Sequence, residues 1–337
     1  MWKLYKILFF NILIMSTLIS ISAYSWFSMW IGLEINLLSI IPLLKSNKNI
    51  FPAEASLKYF ITQTLASIII LFSIIESMYI SEYISSNHNY WLMMMMNSAL
   101  LTKMGAAPFH SWFPEVVEGL NWMNNFILLT WQKLAPMVLI MYNLNMYFFL
   151  SIIIILSSVI SGIMGINQIS LRKILAYSSI NHIAWMLASM MNLKMNWFIY
   201  FVIYSLINLN IIFMFYSLNI FFISQLLISL SQNKLIKMIF ILNFFSLGGL
   251  PPFLGFLPKW ITIQNLSFNN FYMLSFILII FTLITLFFYI RLSITTLTFS
   301  MQETIIKTNK INNYTMIFLN MFNILGIFIC TNLFNIL

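Results

Sequence analysis

Leu247-Gly-Gly-Leu-Pro-Pro-Phe-Leu-Gly-Phe-Leu-Pro-Lys259 interrupts an apolar segment that runs from residue 236 to residue 266. The paired glycines and prolines end a helix there. The segment is also longer than the ~20 residues that span a ~30 Å hydrocarbon core. A helix broken at membrane depth leaves backbone groups without partners, which is tolerated only inside protein or beside a watery cavity. A second apolar segment, 90–112, ends in Gly105-Ala-Ala-Pro108 and carries Lys103. Both interruptions point toward function, with a structural kink as the alternative for each.

The rest of the chain places these segments in a membrane. Of 337 residues, 61% are hydrophobic and 7% are charged, against roughly 25% charged in a soluble domain. There is no Asp and there are seven Glu, too few to build a water-facing surface. Low Gly and Pro content and the absence of alternating polarity argue against a barrel. The single cysteine, Cys330, excludes an internal disulfide or an iron–sulfur site held by this chain alone. The first apolar segment, flanked by Lys3 and Lys6, reads as a retained helix and not a cleaved signal. The preference for Ile, Met, Phe, Asn and Lys fits an AT-rich organellar genome.

The fold class predicted is an all-α polytopic membrane protein, a single transmembrane domain over residues 1–337. Eleven spans are read: 4–22, 24–44, 57–80, 90–112, 122–142, 146–167, 173–191, 196–224, 236–266, 270–299 and 314–336. Alternating them gathers Lys3, Lys6, Lys45, Lys48, Arg172, Lys173, Lys234, Lys237, Arg291, Lys307 and Lys310 on one side and Lys194 on the other. The positive-inside rule makes the crowded side the matrix or cytoplasmic one. The N-terminus then lies on that side and the C-terminus opposite. The net charge of +9 is largely this topology signal and calls for no nucleic-acid partner.

Five ionisable residues stay at depth: Glu34, Lys103, Lys133, His182 and Lys259. A charge at bilayer centre costs at least ~2.5–3.5 kcal/mol on insertion scales, and such residues mark ion or proton paths. Inert ion pairing is the other reading, although three lysines face one central carboxylate. Each lysine has a proline nearby, Pro108, Pro136 and Pro258, and a proline leaves the carbonyl four residues earlier unpartnered. Those carbonyls are of Met104, Gln132 and Leu254, which predicts three hydrated pockets. Lysine suits a relay because burial disfavours its charged form and a carboxylate restores it, whereas arginine stays charged. Histidine shuttles protons near neutrality, and a His bonded to a neighbouring helix is the other reading of His182.

Six stretches carry a resemblance. They are Trp30-Ile-Gly-Leu-Glu-Ile-Asn-Leu-Leu-Ser39, Glu54-Ala-Ser-Leu-Lys-Tyr-Phe-Ile-Thr-Gln63, Lys103-Met-Gly-Ala-Ala-Pro-Phe-His-Ser-Trp-Phe-Pro114, Thr130-Trp-Gln-Lys-Leu-Ala-Pro136, Ser170-Leu-Arg-Lys-Ile-Leu-Ala-Tyr-Ser-Ser-Ile-Asn-His182 and the opening stretch to Lys259. In order, over about residues 20–265, they are similar to the antiporter-like subunit family of respiratory complex I, the subunit 2 branch in particular. The resemblance implies roles by position. Glu34 would modulate Lys103, Lys133 would connect, His182 would bridge, and Lys259 would lead to the intermembrane-space exit. It also implies an inner mitochondrial membrane location and, as partners, neighbouring membrane-arm subunits, accessory subunits and lipids. No cofactor would be bound by this chain. NADH, FMN, iron–sulfur clusters and ubiquinone would be handled by the whole complex. The eleven spans resemble a shortened form of the family that lacks three leading helices.

Two rivals remain: a subunit of a multisubunit cation/proton antiporter, and a scaffold whose buried charges are inert. Other features read plainly. Met93–Met96 is packing. Trp26, Trp30, Trp91, Trp112, Trp122 and Trp197 fit interfacial belts. Lys58 and Glu54 snorkel. His88, Glu115 and Glu118 are solvated loop residues. His110 structures the loop after the fourth span, with a proton entrance as its alternative.

Overall fold

The computed structural model describes residues 4–45, 49–83, 90–231, 234–251, 253–298 and 320–321. His88, Cys330 and the predicted span 314–336, apart from residues 320 and 321, lie outside the described residues. Every regular element among the described residues is a helix, with one isolated antiparallel bridge between Ser170 and Phe222. Two compact units are formed, Met1–Ile153 and Ile154–Leu337.

The first unit contains α1 (Leu4–Ser22), α2 (Trp26–Leu44), α3 (Phe51–Tyr83), α4 (Tyr90–Met104), α5 (Trp112–Gly119), α6 (Trp122–Leu129), α7 (Trp131–Tyr142) and the start of α8 (Tyr147–Ile166). The second contains the rest of α8, then α9 (Leu171–Met190), α10 (Lys194–Leu218), α11 (Ile223–Ser231), α12 (Lys234–Gly248), α13 (Phe256–Phe268) and α14 (Tyr272–Thr298). Among the described residues six helices, α1, α2, α3, α8, α10 and α14, are long and apolar enough to cross a membrane. Leu18, Leu38, Ile68, Phe148, Phe276 and Leu283 are exposed on them. In water such a surface would drive association; in hydrocarbon it is the expected exterior.

Polar side chains that enter this setting must find partners, because lipid offers none. The hydroxyls of Ser16, Thr17 and Ser20 on α1 donate to the carbonyls of Leu13, Ile14 and Thr17 at 2.8, 2.7 and 2.8 Å. These small, buried residues line the side of α1 that packs on α2, as small residues do where membrane helices approach closely. In the second unit α9 is buried along nearly its whole circumference and packs against α10, α13 and α14. A helix without an exposed face is a core helix, so its Asn181 and His182 are enclosed.

The sequence expected helix ends at both glycine-containing stretches, and both occur. Helix α4 stops at Met104, and Gly105 takes φ +75°. The Gly105 and Ala106 amides donate back to Thr102 O and Leu101 O, each at 3.1 Å. Helix α12 stops at Gly248, Gly249 takes φ +74°, and the Gly249 and Leu250 amides donate to Ser246 O at 3.0 Å and Phe245 O at 3.2 Å. These are two copies of the Schellman closure, which needs a left-handed residue and therefore favours glycine.

Three expectations are refined. The span 122–142 is built from two helices, α6 and α7, because the chain leaves regular helical geometry at Thr130. The Thr130 hydroxyl bonds Phe126 O at 2.6 Å, a local side-chain bond that competes with the helical ladder. Pro136, which has no N–H, then denies the Gln132 carbonyl its helical donor. Secondly, Trp112, Trp122 and Trp197 are buried inside the protein instead of lying in a belt, while Trp91 is exposed. Thirdly, Glu115 and Glu118 lie on α5, not in a loop, and Glu115 pairs with Lys58 at 3.0 Å. Lys58 also meets Glu54 at 3.1 Å, with all three side chains well exposed. Exposed pairs of this kind contribute little, so Lys58→Ala is expected to leave the thermal stability of the membrane-extracted protein close to wild type, as read by a melting scan.

Candidate functional site

In the first unit the end of α4 is the centre of the site. Lys103 occupies its last turn and is buried. Four carbonyls are left over at any helix end, and the Schellman closure takes two of them. Gln63 Nε2 on α3 donates to Lys103 O at 3.2 Å, and Trp112 Nε1 donates to Thr102 O at 3.1 Å. The break is thus stabilised by named side chains of α3 and α5. The negative end of the α4 dipole faces the same place, which favours a cation there.

Glu34 on α2 stands beside Leu33, which lines the same cavity as Lys103, and no ion pair within 4 Å joins Glu34 to the lysine. One Glu34 carboxylate oxygen, Oε1, is buried without a hydrogen-bond partner. Beside Lys103 lies a small cavity with room for about one water molecule. Its polar wall is Asn36, Tyr59, Gln63, Lys103 and Gln132. The Gln132 amide is held at both ends: Nε2 donates to Asn36 Oδ1 at 2.8 Å, and the Tyr59 hydroxyl donates to Oε1 at 3.3 Å. Lys133, next along α7, is buried, and its Nζ lies 5.8 Å from the centre of the Phe113 ring. That is within the range of a cation–π contact. Phe113 in turn packs on Gly105, where a Cβ would come within 3.0 Å of it.

In the second unit Lys259 on α13 is buried and donates through Nζ to Gly248 O, the last carbonyl of α12, at 2.8 Å. The Pro258 argument pointed to the Leu254 carbonyl; the structure gives Gly248 instead. The reason is that Leu254 lies in the non-helical link before α13, so no helical bond was there for Pro258 to remove, whereas α12 ends in a free carbonyl and a negative dipole. Trp185 on α9 covers the other side, its ring 5.9 Å from Lys259 Nζ. His182, one turn earlier, meets the Tyr200 hydroxyl through Nδ1 at 2.9 Å, and the Tyr204 ring lies 4.9 Å from its own. Asn181 Nδ2 donates to Thr285 Oγ1 at 3.2 Å. His110 sits in the turn after α4, partly exposed, with Nδ1 3.3 Å from Pro108 O.

Lys103, Lys133, His182 and Lys259 are therefore placed in polar or aromatic settings, while Glu34 keeps one buried oxygen without a hydrogen-bond partner. Lys103 and Leu33, the residue before Glu34, line one cavity. Sequence reasoning missed Gln63, Trp112, Gln132, Tyr59 and Tyr200 as partners. Tyr59, Gln63, Trp112 and Gln132 stand inside quoted motif stretches, and for Gln132 a polar side chain next to the buried Lys133 was the available signal.

Buried lysines at helix ends in an all-helical, largely apolar chain are the features of an antiporter-like membrane subunit. The chain belongs to the family described as NADH:quinone oxidoreductase/Mrp antiporter, which matches residues 23–286. NADH-ubiquinone oxidoreductase chain 2 of Anopheles gambiae is 48% identical over 330 residues, covering 97% of this chain and 96% of that one, which puts the chain in the chain 2 group. A chain of respiratory complex I from Thermus thermophilus superposes with a TM-score of 0.83 at 19% identity, covering 96% of this chain and 78% of that chain. A chain of the Mrp complex from Dietzia sp. DQ12-45-1b gives 0.73 at 14% identity, over 83% of this chain and 58% of that one. The fold is thus shared by both kinds of assembly and does not separate them; the full-length relative does.

Proposed function

We propose that this chain is a proton-translocating core subunit in the membrane arm of complex I, the NADH:ubiquinone reductase of the mitochondrial inner membrane. The observation that carries this reading is Lys103, buried at the end of α4 in the wall of a small polar cavity, with Glu34 on α2 next to the cavity-lining Leu33 and in no ion pair with the lysine. A direct pair would fix both charges in place. A carboxylate acting from a distance lets a small displacement change how firmly the lysine holds its proton.

In this reading displacing Glu34 frees the proton of Lys103, Lys133 receives it, and His182 and Lys259 continue toward the intermembrane space. Redox chemistry belongs to other subunits, which hold FMN and the iron–sulfur clusters and act on NADH and ubiquinone. The partners are neighbouring antiporter-like and small membrane subunits, accessory subunits and lipids. The chain crosses the membrane about eleven times. Six long helices, α4, α9 and the pairs α6/α7 and α12/α13 support ten of these crossings; the eleventh is read from the apolar sequence 314–336, which lies outside the described residues apart from 320 and 321. The interruptions at Gly105 and Gly249 divide two of them. The N-terminus faces the matrix and the C-terminus the intermembrane space, a topology supported by Lys6, Lys45, Arg172, Lys173, Lys234, Lys237 and Arg291 on one side against Lys194 on the other.

A native gel of mildly solubilised mitochondrial membranes, stained for NADH dehydrogenase activity and probed for this chain, tests the assignment. Comigration with the active band is expected. Migration in a smaller complex without NADH activity would replace this reading by the cation/proton antiporter one.

A further inference from the structure

The geometry points to Gln132 as a positioning residue for proton transfer at Lys103, working as the middle of a reversible hydrogen-bond chain from Asn36 to Tyr59. This inference rests on the reading of Lys103 as a proton carrier. Three observations meet at Gln132. Its side chain lines the Lys103 cavity. It precedes Lys133 directly, at the start of α7. Its amide also ties that place to α2, two residues beyond Glu34, and to α3.

The chain as it stands has one polarity: Tyr59 donates to Gln132, and Gln132 donates to Asn36. Asn and Gln amides present a donor and an acceptor at opposite corners, and a hydroxyl does both. The same three side chains can therefore bond in the reverse sense, with Asn36 donating to Gln132 and Gln132 to the Tyr59 oxygen. Reversal frees the Tyr59 hydroxyl hydrogen to point into the cavity. No net charge moves in the reversal, so it avoids the burial cost that a charged switch would carry. Asn36 and Tyr59 are themselves buried, which holds the alternatives to these two.

The step this controls is a plain proton transfer. The Lys103 ammonium gives a proton to a cavity water as that water passes one onward toward the neutral amine of Lys133, which follows the cavity-lining Gln132 in sequence and is not itself part of the wall. Lys103 is left neutral, Lys133 charged and the water unchanged. In one polarity the wall offers the water an acceptor, and in the other a donor. Gln132 decides which.

The test compares Lys103→Met, Gln132→Glu and Tyr59→Phe in the intact complex in sealed membranes, reading protons moved per NADH together with NADH oxidation and the amount of assembled complex. Gln132→Glu is nearly isosteric, but an ionised carboxylate only accepts and fixes one polarity. Its ratio is expected to fall to that of Lys103→Met with assembly unchanged, and Tyr59→Phe, which lacks one end of the chain, is expected to lie between that value and wild type. A wild-type ratio in Gln132→Glu and Tyr59→Phe, beside a lowered ratio in Lys103→Met, overturns the role of Gln132 alone. A wild-type ratio in Lys103→Met overturns the function proposed for the lysine and this inference with it.

Discussion

Lys103→Met in the intact complex is expected to reduce the number of protons moved per NADH oxidised while leaving the amount of assembled complex equal to or above wild type. The two halves of that expectation come from the same fact. A cation held at membrane depth costs roughly 2.5–3.5 kcal/mol by insertion scales, and the unbranched methionine side chain fills similar space without that cost. The partners around Lys103 also survive the change. Gln63 donates to the backbone oxygen of residue 103 and not to its side chain, and Trp112 donates to Thr102 O. The end of α4 stays closed. What is lost is the ammonium group in that cavity wall. Proton-to-electron ratios in sealed vesicles, paired with native-gel quantification, check both halves. An unchanged ratio removes Lys103 from the pathway.

Gly249→Val is expected to do the opposite: to lower the assembled complex several-fold before any question of pumping arises. Gly249 has φ +74°, a conformation that is an outlier for a β-branched residue and costs of order 1–3 kcal/mol for residues held there against preference. A Cβ at this position would also lie 2.8 Å from Lys259 Cδ and 2.9 Å from its Nζ. The lysine could leave only by giving up its bond to Gly248 O. Gly249→Ala separates the two effects, since alanine meets the same obstruction with a milder backbone penalty of about 1–2 kcal/mol. Its pumping ratio should fall further than its assembly. A wild-type ratio in assembled Gly249→Ala would mean that the contact with Gly248 does not hold Lys259 in its working place.

The helical architecture and the broken segments were legible because membranes make sequence blunt. Lys103, Lys133, Lys259 and His182 stand out against apolar surroundings, and Gly105 and Gly249 announce left-handed backbone. What could not be read was whatever depends on contacts between distant segments. The Lys259 bond to Gly248 spans eleven residues across a non-helical link, and a rule that looks four residues back from Pro258 selects Leu254. Thr130 carries no breaker signature, and its hydroxyl interrupts the ladder only because it folds onto Phe126 O. Trp112 looks like a residue at the lipid headgroups until the turn at 105–111 folds it under α4 to close Thr102 O. Gln132 is unremarkable in a list of residues, and its bonds to Asn36 and Tyr59 join three separate helices.

On the proton-carrying role proposed for Lys103, the place of the end of α4 also bears on energy conversion. Lys103 stands thirteen residues after Tyr90, the start of the helix, which is roughly 20 Å at 1.5 Å per residue, well inside a ~30 Å dielectric slab. Driving one charge across the whole slab against the membrane voltage costs ~2.3 kcal/mol per 100 mV. A proton resting on Lys103 has covered only part of that drop. A relay that pauses at Lys103 would divide the voltage into instalments, so that each step works against only one of them.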